Sequence, residues 1–256
     1  LLLILSAIWG SAFIAIKVSL EYFAPVSVAS YRLIIASIFL LIFYIIGQYK
    51  TLLSKKDLLM LIFVGVVGNF LPFYLISWSE QFIQSSTAGI LMGIGPILTL
   101  VLSHFLTKDD RINSVKLISI IVGFIGVLFI FEIDSLFSFQ SSNSIQLISK
   151  FLIIIAALGY MISNIVAYNT LKHIDSFSIT FFATLFGALI SIPFLIFSEF
   201  NQPSYFSIKS ILPILYLGIF PTALAFQLRY HITKTSGPVF LSYVAYLIPI
   251  FALIWG

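Results

Sequence analysis

The sequence predicts an all-α integral membrane protein made of two inverted five-helix repeats, a ten-span fold of which nine spans are present. Three observations predict this fold: an apolar composition, nine apolar runs of membrane-crossing length, and a proline-interrupted run that recurs in the second half. Hydrophobic residues make up 61% of the 256 residues and charged residues only 9%, and the mean hydropathy is +1.15. A soluble domain of this size needs much more charged surface, so the composition excludes a single soluble core.

The residue types argue against catalytic and metal-binding classes. There is no cysteine, and the three histidines, His104, His173 and His231, lie far apart in sequence. No H-E-x-x-H pair, P-loop or G-x-S-x-G turn is present. The formal net charge of +4 belongs to the links between apolar runs and therefore does not indicate nucleic-acid binding. We expect no catalytic residue, no metal, no cofactor and no nucleic-acid partner.

A membrane span needs about 20 apolar residues at 1.5 Å rise per residue. Nine runs satisfy this rule, and the second repeat predicts a tenth span just beyond Gly256. The nine runs, in order, are Leu1 to Leu20, Val26 to Gly47, Leu58 to Trp78, Ser86 to Leu106, Val115 to Phe131, Phe151 to Leu171, Phe177 to Phe197, Ile208 to Tyr230 and Pro238 to Gly256.

The longest polar link divides the chain into two halves. Glu132 to Lys150 is rich in Ser, Asn and Gln, a composition typical of loops. We therefore expect a first five-helix repeat over residues 1–131, a link over 132–150, and a second repeat over 151–256 that lacks its last helix.

The distribution of Lys and Arg predicts the orientation. The links after spans two, four, six and eight, with their flanks, carry nine basic residues, whereas the opposite side carries three. Because basic residues concentrate on the cytoplasmic side, the N-terminus is expected there. The nine are Lys50, Lys55, Lys56, Lys108, Arg111, Lys116, Lys172, Arg229 and Lys234, against Lys17, Lys150 and Lys209.

The two halves match at an offset of 153 residues. Gly65 then falls on Gly218, Phe73 on Phe226 and Pro96 on Pro249, with further matches among leucines and isoleucines. A unit of five spans is odd in number, so the second copy must enter the membrane from the opposite side. The repeats are therefore expected to be inverted.

Proline interrupts span four and span nine. Pro96 cannot donate a backbone hydrogen bond, and Gly93 and Gly95 leave the weakened turn open to a neighbouring helix. Pro249 lies deep in the corresponding run of the second half. Interrupted helices in corresponding halves indicate a binding site between the repeats, so we expect these four residues to form hinges.

Four segments together resemble the EamA-like branch of the drug/metabolite transporter superfamily. They are AIWGS from Ala7, RLIIA from Arg32, GPILT from Gly95 and YLIPIFA from Tyr246. The resemblance covers essentially the whole chain and implies a ten-span fold of two inverted repeats in a bacterial inner membrane. It also implies transport of small organic solutes such as amino acids. Where the family usually has a Gly-Glu pair, this chain has Lys108-Asp109-Asp110-Arg111.

Polar and aromatic residues within the spans are candidates for solute binding, because polar groups in hydrocarbon normally face a cavity or a partner. For Asn69 and Gln227 the alternatives are a cavity role or an interhelical hydrogen bond. For Trp78 and Tyr230 the alternative to solute contact is a packing role at the membrane interface. The candidates are Trp9, Ser11, Asn69, Phe73, Tyr74, Trp78, Tyr160, Asn164, Gln227, Tyr230, Tyr243 and Tyr246.

Arg32 is the remaining candidate, about two turns inside span two. It could bind a substrate carboxylate through two parallel hydrogen bonds, or it could pair with Glu80 or with backbone carbonyls. The sequence thus predicts export of small metabolites by alternating access. The alternatives are an integral-membrane enzyme acting on lipid-linked substrates and a non-transporting scaffold. The oligomeric state stays open.

Overall fold

The computed structural model of the chain describes residues 1–130 and 143–255, apart from the side chains at 127–130, 253 and 255. Every regular element in that part is helical, as predicted. The elements are α1 (Leu2–Ser19), α2 (Pro25–Ile46), α3 (Lys55–Gly65), π1 (Val66–Phe70), α4 (Leu71–Ser79), α5 (Ser85–Met92), α6 (Gly95–Leu106), α7 (Ser114–Ile130), α8 (Ser144–Thr170), α9 (Ser176–Asn201), α10 (Ile208–Leu217), π2 (Gly218–Leu224), α11 (Ala225–Ser242) and α12 (Val244–Trp255).

Seven helical stretches of the described chain are long and apolar enough to cross a membrane. The last of them, Ile208–Ser242, contains Gly237, whose φ of 86° lies outside the helical region and divides α11. Two further predicted spans coincide with shorter helices, α7 with 17 residues and α12 with 12 residues. The all-helical membrane class is confirmed, whereas the count of nine spans stays a prediction.

The predicted link between the halves is shorter than expected on its C-terminal side. Residues 144–150 were predicted to belong to the link. They form instead the first turns of α8, which begins at Ser144. Residues 132–142, together with the predicted span ends at Phe131 and Gly256, lie outside the described residues.

Helices of the first half pack on helices of the second half. α1 packs against α12, α2 against α9, and α4 against α8. The closest approach is between α3 and α9: a Cβ atom on Gly65 would lie 2.5 Å from the carbonyl oxygen of Ala183, and one on Gly187 would lie 2.7 Å from the carbonyl oxygen of Gly65. Such backbone contact requires glycine, and it places π1 against the second half.

A π-helical segment interrupts each half at a corresponding position. π1 follows Gly65 and π2 begins at Gly218, the residue that matches Gly65 at the offset of 153. Such segments widen the helix and often occur at functional sites. They were not predicted from the sequence, although Pro72 follows π1 by two residues and Pro221 lies within π2.

Candidate functional site

A cavity of about 80 Å³ lies between the two halves. Five predicted site residues line it: Trp9, Arg32, Phe73, Tyr160 and Asn164. Most of the remaining lining is apolar and comes from α1, α4, α5, α8, α11 and α12. Binding pockets for small molecules are typically about 300–1,000 Å³, so this cavity is small for a ligand pocket.

Arg32 is 3% exposed and is held through one side of its guanidinium. Its Nε donates to Thr222 Oγ1 at 3.0 Å, and its Cζ lies 3.6 Å from the ring centre of Phe73. Among the described residues, Nη1 and Nη2 make no hydrogen bond, and no carboxylate lies within 4.0 Å. The ion pair with Glu80, one of the alternatives for Arg32, is therefore not formed, and two charged donors remain available beside the cavity.

Arg229 is a second cation on the cavity wall, and it is 1% exposed. Its Nε donates to Asn164 Oδ1 at 2.6 Å, its Nη2 to Ser163 Oγ at 2.8 Å, and its Nη1 to the carbonyl of Gly68 at 3.2 Å. No acid among the described residues neutralises it. Arg229 was counted with the basic residues of the links and their flanks, and this was wrong because the residue is buried well inside α11. Without Arg229, eight basic residues remain in the links that were assigned to the cytoplasmic side.

The two arginines make reciprocal contacts with the π segments. Arg32 of the first half contacts Thr222 in π2, and Arg229 of the second half contacts Gly68 in π1. Pro72 leaves an acceptor free in π1, because it lacks the N–H that would bond the carbonyl of Gly68 four residues earlier, and this carbonyl accepts from Arg229. In π2 the carbonyl of Leu217 accepts from Thr222 Oγ1 at 2.7 Å.

The arginines lie at similar depths from opposite ends of the helix bundle. Arg32 is seven residues after Pro25, where α2 begins, and Arg229 is seven residues before Ser236, where the first part of α11 ends at Gly237. At 1.5 Å per residue each is about 10 Å from its helix end. One cavity therefore has a buried cation towards each face.

Aromatic residues lie around these cations. Trp9 Nε1 donates to the carbonyl of Pro221 at 3.0 Å, and its ring meets the edge of Phe226 at 6.2 Å. The ring centre of Tyr160 lies 5.3 Å from Arg229 Cζ. The Tyr160 contact stabilises the charge of Arg229 by cation–π attraction, and the Trp9 contacts fix the aromatic wall of the cavity.

Four predicted site residues lie outside the cavity lining in the core. Ser11 Oγ is hydrogen-bonded to Tyr216 Oη, and Gln227 Oε1 accepts from Thr180 Oγ1 at 3.1 Å. Asn69 is fully buried, and neither polar atom of its side chain has a partner among the described residues. The hydroxyl of Tyr230 is likewise buried without a partner there. Of the two alternatives for Gln227, the geometry matches the interhelical hydrogen bond.

The other four predicted aromatic residues also lie away from the cavity. Tyr74 and Trp78 line a separate groove of about 1,050 Å³ formed with α2 and α9. Tyr246 Oη donates to the carbonyl of Ile120 at 2.9 Å, which fixes α12 to α7. Tyr243 packs between Phe240 and Tyr246.

The helix breaks fall close to the predicted hinges. α5 ends at Met92, and Gly93 and Ile94 separate it from α6, in which Pro96 is the second residue. In the second half the break is at Tyr243, whereas Pro249 lies inside α12. Gly95 faces Met161, since a Cβ there would lie 3.2 Å from Met161 Cε. The hinge roles stay predictions.

The acidic pair at the end of span four makes specific contacts. Asp110 Oδ2 accepts from the backbone N–H of Val239 at 2.9 Å, and its Oδ1 forms an ion pair of 2.5 Å with Lys116. Asp109 pairs with Lys172 at 3.3 Å. The acids therefore join the first half to the second at this face. Within residues 1–130 and 143–255 no three acidic or histidine side chains form a group that could hold a metal.

Sequence comparison relates the whole chain to one group of proteins. The model of the EamA-like transporter family matches residues 1–132 and 147–256. The uncharacterized transporter YetK of Bacillus subtilis is 31% identical over 242 residues, covering 91% of this chain and 71% of that protein. The uncharacterized transporter YoaV of Bacillus subtilis is 24% identical over 97% of this chain and 84% of that protein. An uncharacterized transporter of Archaeoglobus fulgidus is 27% identical, with the same coverage.

One solved structure, described as "Crystal structure of protein", has a similar fold. It superposes with a TM-score of 0.74 over 98% of this chain and 85% of its own chain, at 14% sequence identity. At that identity the likeness supports the fold alone.

Proposed function

Because the chain belongs to the EamA-like transporter family, an integral membrane family, we propose that it exports small organic metabolites, such as amino acids, by alternating access between two inverted repeats. The solute binds in the cavity between the halves. The N-terminal face is cytoplasmic and the membrane is the bacterial inner membrane. Transport, rather than chemistry on a lipid-linked substrate, is its activity.

One observation carries the solute class: two arginines without acidic partners among the described residues lie on the wall of one cavity. A buried charge without a counter-charge is costly, and a carboxylate is the group that a guanidinium binds best in two parallel hydrogen bonds. Nη1 and Nη2 of Arg32 make no protein hydrogen bond in the described chain. An amino acid offers the required carboxylate.

The reciprocal contacts suggest how the halves alternate. A solute that enters from the N-terminal face meets Arg229 first, and one that leaves through the opposite face passes Arg32 last. Each arginine holds the π segment of the other half, so a carboxylate that draws a guanidinium away weakens one contact between the halves at a time. The differential affinity of the solute for the two states then drives the rocking.

Counterflow in proteoliposomes tests this function. Vesicles that hold purified protein and one unlabelled L-amino acid at high internal concentration are placed in a trace of the same radiolabelled compound. We expect accumulation of label for at least one amino acid and none in protein-free vesicles. Absence of counterflow for the twenty amino acids and for simple organic acids would contradict the proposed function and favour the scaffold alternative. Turnover of lipid-linked substrates by the purified protein would favour the enzyme alternative.

The hinge at Pro96 gives a further prediction. The Pro96→Ala variant restores a backbone N–H within α6, so the turn after Met92 becomes more continuous and the rocking slows. We expect counterflow to fall about tenfold, which corresponds to roughly 1.4 kcal/mol in the barrier, while solute binding in a thermal-shift assay persists. Pro203→Ala, in an exposed loop, is the matched control. Full counterflow in both variants would show that Pro96 is not a hinge.

A further inference from the structure

Glu80 is a buried acid that does not line the cavity. It follows α4 directly and is 0% exposed. Oε2 accepts a hydrogen bond from Ser85 Oγ at 3.1 Å, but Oε1 has no partner among the described residues. An ionised carboxylate normally accepts several hydrogen bonds when it is buried. This environment is better suited to a neutral, protonated carboxyl group.

Two positive charges act on Glu80, and neither forms an ion pair with it. Lys17 Nζ donates to the backbone carbonyl of Glu80 at 2.8 Å, not to its carboxylate. Arg32 lies beyond ion-pair distance on α2, yet its charge still acts on the carboxyl group. From α8, Lys150 follows Ser149, whose carbonyl accepts from Ser79 Oγ at 3.1 Å. The neighbouring acid, Glu21, is exposed in the link after α1.

The balance between burial and these charges sets the protonation of Glu80. Burial raises the pKa of Glu80 to about 8, and the hydrogen bond from Ser85 and the charges of Lys17 and Arg32 oppose that rise. Protonation therefore changes within the working range of a cell. A change in the charge near Arg32 shifts that protonation.

We propose that Glu80 is a proton-binding site linked to Arg32, so that a solute carboxylate and one proton bind together. This inference rests on the proposed function, because it takes Arg32 as the group that meets the solute carboxylate. When the carboxylate neutralises Arg32, one charge that favours the ionised form of Glu80 is cancelled, and the pKa of Glu80 rises further. A proton from water then forms an O–H bond on the Glu80 carboxylate, and it leaves when the solute leaves. A zwitterionic amino acid is thus carried with one added positive charge, and a solute with one negative charge is carried without net charge.

Proton uptake on solute binding tests the link. Purified protein in weakly buffered detergent with a pH indicator is mixed with an amino acid that shows counterflow. At pH 9 we expect uptake of up to about one proton per bound solute, and at pH 6 none, because Glu80 is then already protonated. Solute affinity should fall by up to about tenfold per pH unit above pH 8. Glu80→Gln should abolish both effects, and Glu21→Gln, at the exposed acid, should keep them.

A second measurement needs no solute. The raised pKa means that ionised Glu80 destabilises the folded state, with no penalty below the unfolded pKa of about 4.3 and a full penalty above pH 8. The thermal midpoint of Glu80→Gln should therefore rise relative to wild type between pH 5 and pH 9. A purely structural role predicts instead a loss of midpoint that does not depend on pH. Glu80→Asp keeps an acid and should keep the pH dependence.

The outcomes separate this inference from the proposed function. Counterflow without proton uptake, with a pH-independent midpoint difference, would overturn the proton site and leave transport intact. A pH-dependent midpoint difference in a protein that moves no amino acid or organic acid would support the proton site and overturn the proposed solute class.

Discussion

Replacing Arg32 with alanine is expected to abolish detectable solute transport while the protein still folds. The side chain makes one hydrogen bond through Nε and one cation–π contact with Phe73, so its removal leaves only Thr222 Oγ1 without a donor. Loss of a charged hydrogen bond to the solute costs about 3 kcal/mol, which corresponds to roughly a 100-fold loss of affinity. Counterflow and thermal-shift binding of the same amino acid measure the two effects separately.

Two further variants make this test specific. Arg32→Lys keeps the charge but cannot form two parallel hydrogen bonds, so a partial recovery of affinity is expected. Arg111→Ala removes an exposed arginine at the opposite face and should transport normally. Normal affinity in Arg32→Ala would show that the solute carboxylate binds elsewhere, and Arg229 would then be the remaining candidate on the cavity wall.

The sequence predicted the class of fold and part of the site for clear physical reasons. Composition and run length are enough to identify apolar helices, and a polar or charged residue deep in such a run must face protein or water. That reasoning found Arg32, Trp9, Phe73, Tyr160 and Asn164, all of which line the cavity.

Arg229 was not predicted as a site residue because of its sequence context. It stands in RYHITK at the end of an apolar run, a pattern typical of a basic flank in the cytoplasm. Only the position of Gly237, where the helix breaks, shows that the chain stays helical for two more turns. Counting back from the glycine places the arginine about two turns from the helix end, instead of one residue before the predicted span end at Tyr230.

Other differences arise from the rotation of each helix, which sequence alone does not fix. π1 and π2 change the number of residues per turn, so the faces inferred for regular α-helices shift after Gly65 and Gly218. Asn69 lies within π1 and points away from the cavity, and Gln227 follows π2 and bonds to Thr180. The depth of such residues could be predicted, whereas their direction could not.

Introducing one methyl group at Gly65 is expected to destabilise the whole bundle. In Gly65→Ala the new Cβ would lie 2.5 Å from the carbonyl oxygen of Ala183 and 2.8 Å from the backbone nitrogen of Gly187. Both are backbone atoms and no side chain can rotate away, so α3 and α9 must separate. Overpacking of this kind costs about 2 kcal/mol, and a fall of roughly 5 °C in thermal midpoint is expected for a chain of this size.

The matched control is Gly89→Ala, since a Cβ on Gly89 meets no atom within 4 Å. Gly89 is also buried in a helix, and alanine there should be neutral or stabilising by about 0.5–1 kcal/mol. Equal midpoints for the two variants would show that α3 and α9 are not in backbone contact. Because π1 begins directly after Gly65, their separation also moves the carbonyl of Gly68 away from Arg229. The Gly65 variant should therefore lose transport even at temperatures where it remains folded.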